Sequence, residues 1–348
     1  MVSKINAKAL LSGAALAIAM AAMAPATADA QDYVIRLSHG MPEEMESGQH
    51  AYAVVFKEFV EAQTGGDVEV RILGANVVGA EREQLQSVQT GINQMLLVSE
   101  ITQPSFFEPA LIWGIPFLFP SSAVAWEVLD GPFGERYNQE FLDATGIRIL
   151  NHIESGFRSI FNSERPIHSP EDLDGLRIRT GENAVHMELM SSLGASPTPI
   201  SWSEVYTSLQ QGVVDGMENP PGLFYSMRFY EHQDYLTVNR HLYSLHSAMI
   251  NEAFFQSLPE DYQAIVLEGA EVAKTVGRST AYLAERAALD QLREEGIEVY
   301  IPTTEEYEAF RDLGQPNALQ LVRDEVGDDW VDGVLTAVDE AAAGLGQL

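Results

Sequence analysis

The chain has 348 residues, of which 51 are Asp or Glu and only 20 are Lys or Arg, giving a formal net charge of -31. Such a surface repels nucleic acid and anionic membranes, which excludes polyanion-binding classes. The absence of cysteine excludes a disulfide framework, a thiolate nucleophile and a Cys-ligated metal, and the length suits two lobes better than one small core.

Residues 1–30 read as a secretory signal peptide. Lys4 and Lys8 form a basic start, Ala9 to Met23 is an apolar run, and Ala28-Asp29-Ala30 supplies small residues for cleavage before Gln31. The run is shorter than the roughly 20 residues of a spanning helix, and no later segment is uniformly apolar, so a soluble periplasmic protein without direct membrane insertion is expected.

The mature chain opens with "YVIRLSH" (33–39) as a strand, a helical face at Tyr52, Val55, Phe56, Phe59 and Val60, and "DVEVRIL" (67–73) as a returning strand. This β-α-β order continues with a helix over 81–89, a buried strand over 92–99, an apolar crossing over 108–120 and a helix over 121–129, which predicts an α/β fold. Two strand-like runs, 147–153 and 157–163, flank Glu154-Ser155-Gly156, and this is read as a crossing point between lobes. "LRIR" (176–179) alternates as a short strand, so Arg177 and Arg179 leave one face. A helix over 184–193 stops at Gly194. Ser201-Trp202-Ser203-Glu204 has capping-box spacing and opens a helix ending at Gly212. Residues 213–221 give a strand and turn, and 259–296 gives one long helix able to run behind both lobes.

Motifs of enzyme chemistry are missing: there is no G-x-S-x-G elbow, P-loop or G-x-G-x-x-G, and the eight histidines are scattered. No cofactor and no metal are expected. The scarce cations say more. Arg158 sits inside "GFRSIFN" and Arg179 ends its strand, where a parallel sheet presents ligands and a guanidinium can grip a carboxylate through two hydrogen bonds. The residues alone leave two readings open, an anion clamp or arginines paired with the chain's own acids. Arg177 is read as a solvated neighbour.

The stretches "DLDGLRIRT", "LGASPTPISWSEVYTSLQQGVVDGMENP" and "MRFYEHQDYL" together resemble the substrate-binding proteins of tripartite ATP-independent periplasmic (TRAP) transporters, of the C4-dicarboxylate (DctP) type. The resemblance implies two α/β lobes in a periplasmic-binding-protein-like architecture, joined by hinge strands and a long hinge helix. Lobe I is expected over 31–155 and 245–284, and lobe II over 156–244 and 285–348. It further implies that Arg179 holds the ligand carboxylate, that Arg158 lines the same pocket, that Asn219 completes the clamp and that Trp202 packs on the ligand. Glu81, Glu100 and His39 are the candidates from the first lobe. The implied partners are a small carboxylate and the transporter's membrane subunits, with the receptor itself a non-enzymatic monomer. Acidic Glu81 and Glu100 opposite the clamp favour a hydroxylated monocarboxylate such as a uronate or aldonate. Arg82, if turned inward in place of Glu81, would instead admit a C4-dicarboxylate, and Trp202 leaves an aromatic acid open. A ligand sensor for a signalling receptor and a periplasmic enzyme acting on an acid are the rival functions.

Overall fold

The structure, a computed structural model, describes residues 33–346; the expected signal peptide lies outside them. Strand β1 (Tyr33–His39) runs into helix α1 (Gly48–Gln63), then β2 (Val68–Leu73), α2 (Glu81–Gln89) and β3 (Met95–Ser99). Both β2 and β3 lie parallel to β1, as strands joined by a crossover through a helix do. A 3₁₀ segment (Glu108–Gly114) takes up the first seven residues of the expected apolar crossing, and the rest, to Pro120, is irregular. Helices α3 (Ser122–Asp130) and α4 (Pro132–Thr145) follow, the second starting at a proline where a missing N–H costs nothing.

Next comes β4, a single 16-residue strand (Ile147–Asn162) in place of the two expected runs. The chain stays extended through Glu154-Ser155-Gly156 because Gly156 adopts φ +116°, and the register against the partner strand shifts there. Then come β5 (Arg177–Thr180), α5 (Ala184–Ser192), β6 (Ser196–Pro199), α6 (Val205–Gln210), β7 (Gly216–Asn219), α7 (Pro221–Ser226), β8 (Tyr235–Asn251), α8 (Glu252–Ser257), α9 (Glu260–Glu294), β9 (Glu298–Tyr300), α10 (Thr304–Val326) and α11 (Asp328–Gly344). The capping box expected at Ser201 does not form: its side chain makes no cap bond, Trp202–Glu204 is a 3₁₀ turn, and α6 starts only at Val205.

The strands form one sheet of order β2-β1-β3-β8-β4-β7-β5-β6, with β9 beside β8. Strands β4 and β8 pair antiparallel along their whole lengths, from Ile147 opposite Asn251 to Asn162 opposite Tyr235. One half of this ribbon carries β1–β3 and the other carries β5–β7, so two lobes share two continuous strands. Four apolar clusters follow, one on each face of each half. In the first half Met95 and Leu97 point to α1, whereas Leu96 and Val98 point to Trp113 and Tyr137. In the second, Ile160 and Phe161 diverge in the same way.

Helix α9 buries Val266, Ala270 and Ala273 in the first half and Leu292 in the second. At 35 residues it is about 50 Å long, enough to back both lobes. Trp330, Val331, Val334 and Val338 of α11 pack in one cluster with Leu96, Val98 and Trp113 of the first half and with Phe157 and Val185. Among the described residues no helix is long and apolar enough to cross a membrane.

Candidate functional site

Three adjacent strands of the second half bring the polar residues together. In the β4·β7 ladder Ser159, next to Arg158, faces Asn219. In the β5·β7 ladder Arg179 faces Met217. Arg158, Arg179 and Asn219 are each at most 3% exposed, and all three line a cavity of about 130 Å³ between the halves.

The two arginines differ in how they are satisfied. Arg158 donates from Nε and Nη2 to the carboxylate of Glu218, again from Nη2 to the Glu218 carbonyl at 2.7 Å, and from Nη1 to Ser244 Oγ at 3.3 Å. Glu218 is itself fully buried. Burial alone would raise its carboxyl, yet the Arg158 guanidinium and the imidazoles of His186 and His241, each 3.6 Å away, hold it well below the usual carboxylate range. Arg158 is thus a neutralised wall of the cavity.

Arg179 donates from Nε and Nη2 to one carbonyl, that of Ile200, at 3.0 and 2.6 Å. Among the described residues no carboxylate lies within ion-pair distance of it. Burial, with Arg158 adding to it, lowers its guanidinium to about 10. A buried cation without a counter-ion is costly unless an anion enters. The side-chain Nδ2 of Asn219, buried in the same wall, has no hydrogen-bond acceptor among the described residues. Trp202 closes the side: its ring centroid is 5.9 Å from the Arg179 guanidinium carbon, within cation–π range, and it packs edge-on against Phe229.

The first half presents one acid, Glu81, and the hydroxyl residues Ser99, Thr102 and Ser105. Glu81 lines the cavity and accepts hydrogen bonds from Thr102 Oγ1 at 2.8 Å and the Ser99 amide at 3.4 Å. Burial raises its carboxyl above the ordinary range. Arg82, its neighbour, is exposed at the rim. The structure does not bring Glu100 and His39 to the cavity lining. Glu100 points behind it, accepting from Ser99 Oγ, Ser244 Oγ and the Leu245 amide, so it holds the wall from the rear. Its carboxyl is raised by burial. His39 is fully buried at the end of β1, where Nδ1 accepts from the Met41 amide at 3.3 Å and Nε2 lies 3.2 Å from His50 Nδ1. Burial and His50 lower it to about 4, so it is a neutral strut.

Arg177, two residues before Arg179, is exposed and bound to Asp215 from its backbone and its side chain. The strand therefore runs from the rim, where one arginine finds a local acid, to the cleft, where the other does not. Sequence reasoning missed Glu218, although it stands inside the quoted "MENP", and the wall residues Ser244 and His246 of β8. A strand paired on both sides and buried without interruption from His241 to Asn251 shows no alternation there to mark which residues face the cleft. No cluster of described residues could hold a metal ion.

Two lobes on a shared strand pair, with a cationic wall facing an acidic one across a small cavity, define a ligand-capturing binding protein of the two-lobed class. The chain belongs to the DctP family, described as bacterial extracellular solute-binding protein, family 7, which it matches over residues 38–324. This is the TRAP type of periplasmic solute-binding protein, which binds small-molecule ligands and works with membrane subunits. A solute-binding protein of Verminephrobacter eiseniae is 37% identical over 244 residues, 70% of this chain and 72% of that one. The crystal structure of the sugar acid binding protein from Advenella mimigardefordensis in complex with galactonate is similar with a TM-score of 0.85 and 29% identity, covering 90% of this chain and all of that one. A TRAP periplasmic solute-binding protein from Sulfurospirillum deleyianum with bound succinate is similar with a TM-score of 0.83 and 26% identity, covering 88% and 100%.

Proposed function

We propose that this protein is a periplasmic receptor that captures a hydroxylated monocarboxylate, of the uronate or aldonate kind, and delivers it to the membrane subunits of a TRAP transporter. The observation that carries the reading is the charge of the cavity. Arg158 is balanced by Glu218, whereas Arg179 is left with a carbonyl. One carboxylate on the ligand supplies the missing charge through a two-bond fork, and the free amide of Asn219 donates to the same group. A second carboxylate would meet Glu81 across the cleft, while a hydroxyl there can donate to it. The galactonate-bound relative supports this class, and the succinate-bound one shows that the same architecture also serves a diacid.

The receptor performs no bond chemistry in this reading. Its residues bind, orient and exclude water: Arg179 fixes the carboxylate, Trp202 limits the space beside it, and the first-half hydroxyls of Ser99 and Thr102 with Glu81 select the far end. A thermal-shift series with galactonate, glucuronate, succinate, malate and benzoate tests the reading, because a ligand that binds only the folded state raises the melting temperature with its occupancy. Stabilisation by a sugar acid at concentrations where succinate and malate do nothing is the expected result. Stabilisation by the diacids alone would overturn the ligand class.

A further inference from the structure

Strands β3 and β5 are separated in the sheet by β8, β4 and β7. At about 4.8 Å per step their axes lie roughly 19 Å apart along the sheet. Yet the residues just beyond their carboxyl ends touch. A Cβ placed on Gly181 would sit 2.6 Å from Ile101 Cγ2, 3.0 Å from its Cδ1 and 3.6 Å from its Cβ. Beside this contact the Asn183 side-chain amide reaches the Ile101 carbonyl at 3.5 Å.

The φ angle of Gly181 lies outside the left-handed region, so its own backbone conformation is open to any residue. What excludes a side chain there is Ile101 from the opposite lobe. The Cγ2 of a β-branched residue cannot swing away as the end of a long side chain can, because it is fixed one bond from Cβ. Ile101 is held in turn by its amide bonding Ser99 Oγ at 3.1 Å. Asn183 is fixed by accepting from the Val185 amide at 2.9 Å as the N-cap of α5. Both partners line the cavity, and Gly181 is two residues beyond Arg179 on one segment. Contact between the lobes at this point therefore sets how close the clamp comes to the first-half wall.

We propose that Ile101 and Gly181 form the closure stop of the cleft, a positioning pair that fixes the closed spacing of the lobes and thereby the affinity for the acid. The proposal deepens the receptor reading by naming the residues that hold the cleft shut, and it rests on that reading only for its effect on affinity.

The chain has no cysteine, so a pair can be introduced without competition. The 3.6 Å between the Gly181 Cβ position and Ile101 Cβ falls within the span of a disulfide. In the double variant Ile101→Cys with Gly181→Cys, diamide should oxidise both thiols to one intramolecular disulfide without any added acid, and the radius of gyration should fall to that of the closed form. Two titratable thiols remaining after oxidation of the folded variant would overturn the proposal.

A second series reads affinity with D-galactonate as the probe. Gly181→Ala should weaken binding at least tenfold, and adding Ile101→Ala, which removes the Cγ2 methyl, should recover most of that loss. Wild-type affinity in Gly181→Ala would overturn the proposal even if the disulfide forms. Failure of the wild type to bind galactonate would count against the sugar-acid reading, and the disulfide experiment would then decide the closure stop alone.

Discussion

Arg179 and Arg177 stand two residues apart on one strand face and have opposite fates. The outer one, exposed, meets the half-buried Asp215, and the inner one is buried with the Ile200 carbonyl as its only acceptor among the described residues. Truncating one partner of a buried charged pair costs about 2 to 5 kcal/mol, or roughly thirty-fold to several thousand-fold in affinity. Arg179→Ala should therefore abolish tight binding of the acid while the melting temperature of the free protein stays within a few degrees of wild type. Arg179→Lys should not restore binding, since an ammonium cannot form the planar fork. Calorimetry returning near-wild-type affinity in either variant would remove Arg179 from the site. Scarce cations and a strand-end position made this residue a candidate in the sequence, and only the family resemblance gave it a role on the ligand. The sequence did not show that Glu100 and His39 stop behind the wall, because one-residue steps in direction after a strand end are set by tertiary packing. The partner of Arg158 was equally hidden, since any of 51 acids could have met it.

At the level of elements, the first β-α-β units were legible because their apolar residues keep clean periods. Helix α9 was legible because no proline interrupts it between Glu260 and Glu294. Strand β8 was not, since it is buried on both faces through its second half. The continuity of β4 was hidden by Glu154-Ser155-Gly156, which read as a break and is a bulge. There β4 lies against α7 and α9 closely enough that a Cβ on Gly156 would come within 2.9 Å of the Glu285 carboxylate, which accepts from the Gly222 amide at 3.3 Å.

Burial, with Glu154 adding to it, pushes the Glu285 carboxyl up to about 8. In the folded protein it holds a proton that the unfolded chain releases near 4.5, so the folded state binds more protons across that interval. Stability from this group is therefore greatest below about 4.5, declines as pH rises to about 8, and is level above it. The loss is at most a few kcal/mol, because the residue is not fully buried. Glu285→Gln should flatten the decline: urea titrations at pH 5 and pH 8.5 should show a smaller difference in unfolding free energy than in wild type. Equal differences in the two proteins would mean that Glu285 titrates normally.

For the whole molecule, the proposed function has a net charge of -31 oppose an anionic ligand at long range while the buried Arg179 attracts it at short range. Added salt shortens the Debye length to under about 10 Å and weakens the first effect more than the second. The association rate of galactonate should therefore rise between 20 mM and 500 mM NaCl in stopped-flow fluorescence. A falling rate would mean that the cleft's own field dominates the approach. The proposed capture predicts that lobes sharing two strands and one backing helix close about the bulge at Gly156, so a saturating acid should lower the radius of gyration in small-angle scattering.

The central claim, that an unpaired buried arginine marks the seat of a hydroxylated monocarboxylate, is tested most directly by native mass spectrometry of the purified protein and of Arg179→Ala. The wild type should carry a bound acid whose mass fits one carboxyl group and several hydroxyls, and the variant should carry none. The same acid retained by Arg179→Ala, or a C4-dicarboxylate bound to the wild type, would contradict it.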